Sequence, residues 1–232
     1  MPAKFIGYFR LVDACAKPGC PVCRCLREDA LRHLRTLIGE HVTDPATRGL
    51  IRAARGFCTG HAAMLQDIPD AGFGAAIISA ELLAAEGRRA RRLIPPQRRK
   101  GPLRRLLRGR ARGVEVKAAC LTCRNVQVSE TRYLKEMLGS VGEPEFEQAL
   151  ERADGLCRPH LTLLAEQAES GTERALERLV EWNRAKWGRI HAVLERFIEK
   201  HDYRRRAPLT EEEAAAWRLA LDMLAGAPAV RS

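Results

Sequence analysis

Six of the eight cysteines and two of the six histidines fall into two copies of one pattern. In each copy a Cys-x-x-Cys pair is followed, after 34 residues in the first and 33 in the second, by a Cys-x-x-His pair. These eight residues are Cys20, Cys23, Cys58, His61, Cys120, Cys123, Cys157 and His160. Three thiolates and one imidazole per copy are the donors of a closed tetrahedral zinc site. Because all four positions come from the protein, the pattern predicts structural rather than catalytic zinc.

The copies also predict how the ligands divide between two ions. Since each copy carries a full set, we expect one zinc on the first four ligands (Cys20 to His61) and one on the last four (Cys120 to His160). The competing interpretation is two [4Fe-4S] clusters with three cysteines and one histidine each, which would indicate electron transfer or redox sensing. Histidine is an uncommon cluster ligand, and this favours zinc.

The copies are an internal repeat that extends beyond the ligands. A shift of 100 residues superimposes the Cys-x-x-Cys pairs together with Arg24 and Leu34 on Arg124 and Leu134. A shift of 99 residues superimposes the Cys-x-x-His pairs and several positions before them, such as Gly56 on Gly155. Repeats of this kind predict two structural units built on one plan.

Cys15 and Cys25 have no counterparts in the second copy. We interpret them as small buried thiols; the alternative is a spare ligand or a redox-active thiol beside the first site. Disulfides are not expected, because the first residues do not resemble a secretory signal and a cytoplasmic location keeps thiols reduced.

In the short segments that contain these Cys and His residues, the chain resembles an uncharacterised bacterial family of duplicated Cys-x-x-Cys/Cys-x-x-His helical proteins. The resemblance covers roughly residues 5 to 195. This family has no established activity, so the resemblance implies no catalytic residue. The phrases that carry it are Cys-Pro-Val-Cys-Arg, Gly-Phe-Cys-Thr-Gly-His, Cys-Leu-Thr-Cys-Arg and Gly-Leu-Cys-Arg-Pro-His.

Apolar residues recur at helical spacing almost throughout, and no convincing strand pattern occurs. Pro45 and Pro144 each predict a helix start, Gly56 a left-handed helix end, and Thr210 with Glu213 a capping box. The predicted fold is all-α, with two pseudo-repeated metal-pinned helical units followed by C-terminal helices. The predicted divisions are residues 1–87 (first repeat), 88–116 (basic linker), 117–201 (second repeat with a long helix) and 202–232 (C-terminal helix and tail).

The net charge of +11 comes from one segment of the 232-residue chain. Between Gly87 and Val114 there are twelve basic and no acidic residues, so the remainder of the chain has a net charge of −1. The candidate anion-binding residues are Arg88, Arg89, Arg91, Arg92, Arg98, Arg99, Lys100, Arg104, Arg105, Arg108, Arg110 and Arg112. Arginine-rich, aromatic-poor composition favours nucleic acid bound through phosphates without sequence specificity. An anionic membrane surface and a plain solvated linker are the alternatives.

Other function classes receive little support from the sequence. There is no Gly-rich phosphate loop, nucleophile elbow or paired-carboxylate motif, so we favour a non-enzymatic protein and expect no small-molecule substrate. No stretch reaches the roughly 18 apolar residues that span a bilayer. A protein–protein adaptor that forms homo-oligomers through its C-terminal helices is a further hypothesis, and the expected location is cytoplasmic.

Overall fold

The computed structural model describes residues 6–91, 118–202 and 207–227. Within these ranges the chain forms ten α-helices and no strand, which confirms the all-α prediction. The helices are α1 (Ile6–Cys15), α2 (Pro21–Gly39), α3 (Pro45–Ala53), α4 (Thr59–Gln66), α5 (Gly72–Arg91), α6 (Leu121–Ser140), α7 (Pro144–Arg152), α8 (Arg158–Gln167), α9 (Glu173–His201) and α10 (Glu211–Ala225).

The helices repeat in the order that the sequence repeat predicts. The series α2, α3, α4 and α5 of the first copy corresponds to α6, α7, α8 and α9 of the second. Pro45 and Pro144 occupy the first turns of α3 and α7, as expected. Asp44 caps α3 by accepting a hydrogen bond from the backbone N–H of Thr47. The capping box of Thr210 and Glu213 begins α10.

The ends of two helices differ from the sequence prediction. Gly56 does have a positive φ of 97°, but the left-handed residue that ends α3 is Arg55, with φ 55°. The N–H of Arg55 bonds to the carbonyl of Arg52, and that of Gly56 to the carbonyl of Ile51, which is the Schellman pattern. Helix α5 continues to Arg91, four residues into the predicted linker, because neither Gly87 nor the arginines after it interrupt helical backbone hydrogen bonding.

The described chain divides into two compact units that do not coincide with the two repeats. The terminal unit contains the described residues up to Arg32 and from Asn125 onwards, and the central unit contains those from His33 to Arg124. The chain passes from one unit to the other within α2 and near the start of α6. Repeat and compact unit are therefore different divisions of this chain.

The terminal unit has a core built on aromatic residues and one buried polar network. Tyr8 of α1 packs 6.0 Å from Phe146 of α7, between ring centroids, and both side chains are buried. Asp29 is also buried; it accepts hydrogen bonds from Arg10 at 2.7 Å and from the hydroxyl of Tyr133 at 3.0 Å. The carboxylate is therefore paired, as a buried charge must be.

The central unit relies on close helix packing and ion pairs between α3 and α5. A Cβ built on Gly74 would lie 2.5 Å from the Ile38 side chain, so glycine allows α5 to approach the end of α2. Glu81 of α5 pairs with Arg48 and Arg52 of α3.

None of the helices in the described ranges is long and apolar enough to span a membrane.

Candidate metal centres

The eight predicted ligands converge into two clusters, but not in the predicted combinations. One cluster contains Cys20, Cys23, Cys157 and His160, and the other contains Cys58, His61, Cys120 and Cys123. Each cluster therefore takes its Cys-x-x-Cys pair from one repeat and its Cys-x-x-His pair from the other. The prediction that each repeat encloses its own metal is wrong, whereas the same eight residues come together as donors. We call the clusters the terminal centre and the central centre, after the unit that contains each.

The terminal centre is fully buried. The Nδ1 atom of His160 lies 3.4 Å from the Sγ atoms of both Cys20 and Cys23 and 3.0 Å from that of Cys157. The sulfurs of Cys23 and Cys157 are 3.7 Å apart. All four residues are at most 4% exposed, so no ligand atom faces open solvent.

The central centre has the same geometry with less cover. The Nδ1 atom of His61 lies 3.1, 3.8 and 3.3 Å from the sulfurs of Cys58, Cys120 and Cys123 respectively. Cys58 and Cys123 are separated by 3.5 Å between sulfurs. His61 and Cys120 are buried, but Cys58 and Cys123 are partly exposed.

Each ligand pair stands at the beginning of a helix. Cys58 and Cys157 are the N-cap residues of α4 and α8, and Cys58 accepts a hydrogen bond from the backbone N–H of His61. The Cys-x-x-Cys pairs begin just before α2 and α6. Free N–H groups and the helix dipole favour thiolate over thiol at such positions. The local sequence therefore places these sulfurs at helix N-termini, where backbone N–H groups favour them as metal donors.

Contacts outside the ligand pairs join the same segments that the clusters bring together. In the terminal unit, the backbone N–H of Gly19 donates to Asp154 at 2.7 Å, which joins the segment before Cys20 to the segment before Cys157. In the central unit, the N–H of Ala118 donates to the carbonyl of Ala53 at 3.4 Å and joins the corresponding segments. The exchange between repeats therefore agrees with these long-range contacts, whereas ligand spacing is nearly the same within each copy and contains no information about it.

Helix α9 supports the turn that carries Cys157. The indole nitrogens of Trp182 and Trp187 donate to the carbonyls of Leu150 and Leu156 at 2.9 and 3.0 Å. Lys186 donates to the carbonyl of Glu151 at 2.6 Å, and the fully buried Asn183 accepts from the N–H of Leu156. Burial lowers the pKa of Lys186. These four side chains hydrogen-bond backbone groups of the turn, including both the N–H and the carbonyl of the buried Leu156.

The two histidines differ in the partner of their second ring nitrogen. His160 places Nε2 2.9 Å from a carboxylate oxygen of Glu130, whereas Nε2 of His61 is buried and has no hydrogen-bond partner among the described residues. A carboxylate behind a ligating histidine sets its tautomer and orientation, so that Nδ1 faces the metal. Sequence reasoning missed Glu130. The sequence offers no signal for it, because the Cys-x-x-Cys pair at the start of the same helix belongs to the other centre.

The surroundings of His160 attract a cation. Burial lowers the pKa of this imidazole, but hydrogen bonds to Cys157, Cys20, Cys23 and Glu130 outweigh it and raise the pKa well above its ordinary value. The positive charge of a proton on Nδ1 is stabilised by the surrounding sulfurs and carboxylate. A metal ion at the centre of the four donors would be stabilised by the same groups. The donor set therefore fits a divalent metal ion.

The remaining cysteines lie outside both clusters. Cys15 and Cys25 are each 1% exposed, as expected for small buried thiols. Burial raises the pKa of Cys15 to about 12 and raises that of Cys25 well above its ordinary value, so both are protonated at neutral pH. Neither thiol belongs to a donor group in the described part of the chain.

Three of the twelve candidate anion-binding residues are described by the structure. Arg88, Arg89 and Arg91 form the basic last turn of α5. Arg88 and Arg91 are exposed, and Arg89 pairs with Glu86 at 2.7 Å. The other nine lie outside the described residues: Arg92, Arg98, Arg99, Lys100, Arg104, Arg105, Arg108, Arg110 and Arg112.

Comparison with known proteins agrees with the resemblance found in the sequence. Neither the curated proteins nor the solved structures gave a match to this chain. One family model matches residues 5–226, which include both metal centres and all ten helices. The chain therefore belongs to DUF6062, a family of unknown function.

Proposed function

We propose that this chain is a non-enzymatic zinc protein in which each of two Cys3His centres stabilises one compact helical unit and in which the arginine-rich segment binds nucleic acid without sequence specificity. The observation that carries the zinc proposal is the convergence of two complete, compact donor sets from opposite halves of the sequence. The charge of the segment carries the nucleic-acid proposal.

The distances between ligand atoms support a single metal ion in each centre. Zn–S bonds of about 2.3 Å at tetrahedral angles place two sulfurs about 3.8 Å apart. The sulfurs of Cys23 and Cys157 are 3.7 Å apart in the terminal centre, and those of Cys58 and Cys123 are 3.5 Å apart in the central centre. A [4Fe-4S] cluster binds its ligands through separate iron atoms and needs thiolates farther apart. The compact donor sets therefore favour zinc over the iron–sulfur alternative.

Burial and donor number support a structural role. Four protein ligands leave no coordination position for water or substrate. Each ion would also connect segments that are distant in the sequence: Cys23 and Cys157 are 134 residues apart, and Cys58 and Cys123 are 65 apart. Zinc binding to such a site supplies free energy of folding on the order of 10 kcal/mol in small zinc peptides.

The arginine-rich segment begins on a helix. Arg88 and Arg91 present exposed guanidinium groups at the C-terminal end of α5, and the other candidate cations follow in the sequence. Neutralising phosphates releases counterions, so binding of this type weakens steeply with salt. The segment contains no aromatic residue on which bases could stack, which favours binding without sequence preference.

Metal analysis with an absorption spectrum tests the zinc proposal. Protein purified without oxygen should contain two zinc ions per chain and show no visible absorption. Iron with a charge-transfer band would support the cluster alternative instead, and a content of one metal or none would contradict two structural zinc sites.

Fluorescence anisotropy with labelled duplex DNA tests the nucleic-acid proposal. If about half of the twelve cations engage phosphates, affinity should fall by about two orders of magnitude or more between 50 and 200 mM salt. Serine at eight of the twelve cations should abolish binding without changing the zinc content; the eight are Arg88, Arg89, Arg91, Arg92, Arg98, Arg99, Arg104 and Arg105. A wild-type protein that binds neither DNA nor RNA at low salt would exclude this role, and anionic vesicles would be tested next.

A further inference from the structure

We propose that the two metal centres differ in reactivity: the central centre is an exchangeable site that peroxides can oxidise, whereas the terminal centre keeps its metal. This inference rests on the proposed zinc binding and adds a redox response to it. Two independent differences between the centres carry it, namely the exposure of the cysteine residues and the partner of the histidine.

The cysteine residues of the central centre are the more exposed. Cys58 and Cys123 are partly exposed, whereas the cysteines of the terminal centre, Cys20, Cys23 and Cys157, are between 0 and 4% exposed. Oxidants and chelators must reach a sulfur or the metal directly, so reaction depends on access as well as on thiolate character. Sulfur separation does not distinguish the centres, because it is 3.5 Å in one and 3.7 Å in the other.

The histidine of the central centre is the less firmly held. Glu130 accepts a hydrogen bond from His160 in the terminal centre, and this raises the basicity of the ligand and restrains its ring. Nε2 of His61 has no such partner among the described residues, although it is buried. In the sequence repeat, the position corresponding to Glu130 is Ala30, whose side chain has no acceptor. Losing an outer partner of this kind typically weakens metal binding about 10- to 100-fold.

The terminal centre has additional cover from the end of the chain. The backbone N–H of Ala227, just after α10, lies 3.4 Å from the sulfur of Cys23 and donates to it. Cys58 of the central centre also accepts a backbone hydrogen bond, from His61, so the contact with Ala227 distinguishes the terminal centre by the cover that it adds over the Cys23 sulfur. The segment after α10 therefore covers this centre, while α10 itself packs on α8 and α9.

The oxidation can be written as a balanced reaction with hydrogen peroxide. The Cys58 thiolate attacks one peroxide oxygen and becomes a sulfenic acid, while the other oxygen leaves as hydroxide and is protonated to water. The Cys123 thiolate then attacks the Cys58 sulfur and displaces the second hydroxide, which is also protonated to water. Two thiolates lose two electrons to form one disulfide, peroxide gains them with two protons, and Zn²⁺ is released because two of its ligands are gone.

The experiment uses the full-length protein loaded with two zinc ions. Hydrogen peroxide is added, zinc release is followed with a chromogenic chelator, and cysteine oxidation is assigned by differential alkylation and mass spectrometry. We expect one zinc to leave about tenfold faster than the other, with a disulfide between Cys58 and Cys123. In Glu130→Gln, the second zinc should leave faster and approach the rate of the first. Exposed Glu181→Gln should release zinc as the wild type does.

Each outcome decides the proposal. Equal release from both centres, prior oxidation of Cys20, Cys23 or Cys157, or no release at all would overturn it while leaving zinc binding intact. A chain that takes up no zinc before peroxide is added would instead overturn the proposed function.

Discussion

Glu130 accepts a hydrogen bond from Nε2 of His160 over a distance of 2.9 Å, and the Nδ1 atom of the same ring faces three sulfurs. The carboxylate is on α6 and the histidine on α8, so this bond orients the ligand from outside its own motif. It also extends the terminal centre from four residues to five. The corresponding nitrogen of His61 has no partner in the described ranges, and the two otherwise similar centres are thereby unequal.

Replacing Glu130 tests what the carboxylate contributes to metal binding at equilibrium. Glu130→Gln keeps the size of the side chain but loses its charge, so we expect zinc affinity at the terminal centre to fall about 10- to 100-fold. Competition with a chelator of known affinity measures the change. Glu181→Gln, on the exposed face of α9, is the control and should leave both affinities unchanged. An unchanged affinity in Glu130→Gln would show that the charge of the carboxylate does not support the ligand, because the amide oxygen of glutamine can still accept the hydrogen bond.

Gly155 should be required both for its backbone conformation and for its size. Its φ is +110°, and a Cβ at this position would lie 2.9 Å from Oδ1 of Asn183 and 3.1 Å from Cβ of Lys186. We expect Gly155→Ala to lower the free energy of unfolding by about 2–4 kcal/mol, from left-handed strain and overpacking together. Urea denaturation of the zinc-loaded protein measures it.

Gly171 provides the matched control for this substitution. Its φ is +100°, but a Cβ there would meet nothing within 4 Å. Gly171→Ala should therefore cost only the conformational strain, about 1–2 kcal/mol. If the two variants lose the same free energy of unfolding, the close packing of α9 against the turn before Cys157 contributes nothing to stability.

The indole of Trp187 should stabilise the same turn through its hydrogen bond. Trp187→Phe keeps an aromatic ring but leaves the carbonyl of the buried Leu156 without its donor, so we expect a loss of about 1–3 kcal/mol. Thermal unfolding followed by circular dichroism measures the loss. Trp217→Phe is the control, because Trp217 is 43% exposed and should tolerate the change within about 0.5 kcal/mol. Equal effects would argue against a specific role for the hydrogen bond.

Removing one ligand should loosen segments from both repeats. In Cys58→Ala we expect faster hydrogen exchange in α4 and at the start of α6, because both hold ligands of the central centre. In Cys157→Ala the change should instead appear in α8 and at the start of α2. Hydrogen exchange with mass spectrometry distinguishes these patterns. Loosening of α2 rather than α6 in Cys58→Ala would contradict the ligand sets described above.

The sequence predicted the local features of this protein well, because they depend on local chemistry. Pro45 and Pro144 begin helices since proline suits the first helical position, and Thr210 with Glu213 forms its capping box. The eight candidate metal ligands were recognisable because Cys-x-x-Cys and Cys-x-x-His pairs are typical of metal sites and recur in both copies. The helix signals and the ligand pairs each involve residues only a few positions apart.

Ligand pairing was not predictable for the opposite reason. The two Cys-x-x-His pairs have the same residue types and nearly the same spacing, so no local property assigns Cys157 to Cys20 rather than to Cys120. The assignment depends on contacts such as those between Gly19 and Asp154, which lie 135 residues apart. Glu130 was missed for a similar reason: it hydrogen-bonds a candidate ligand without being one, and such a residue belongs to no recognisable sequence motif. Arg55 replaced the predicted Gly56 as the left-handed helix end since backbone hydrogen bonding, rather than residue preference, set the last turn.

The central claim is that each centre combines ligands from both repeats, and zinc counting in two double variants tests it most directly. Cys20→Ser with Cys157→Ser removes two ligands from the terminal centre and none from the central centre, so one zinc per chain should remain after treatment with a weak chelator. Cys20→Ser with Cys58→Ser removes one ligand from each centre, so we expect no firmly bound zinc. If the first variant keeps none and the second keeps one, the ligands pair within each repeat and the account is wrong.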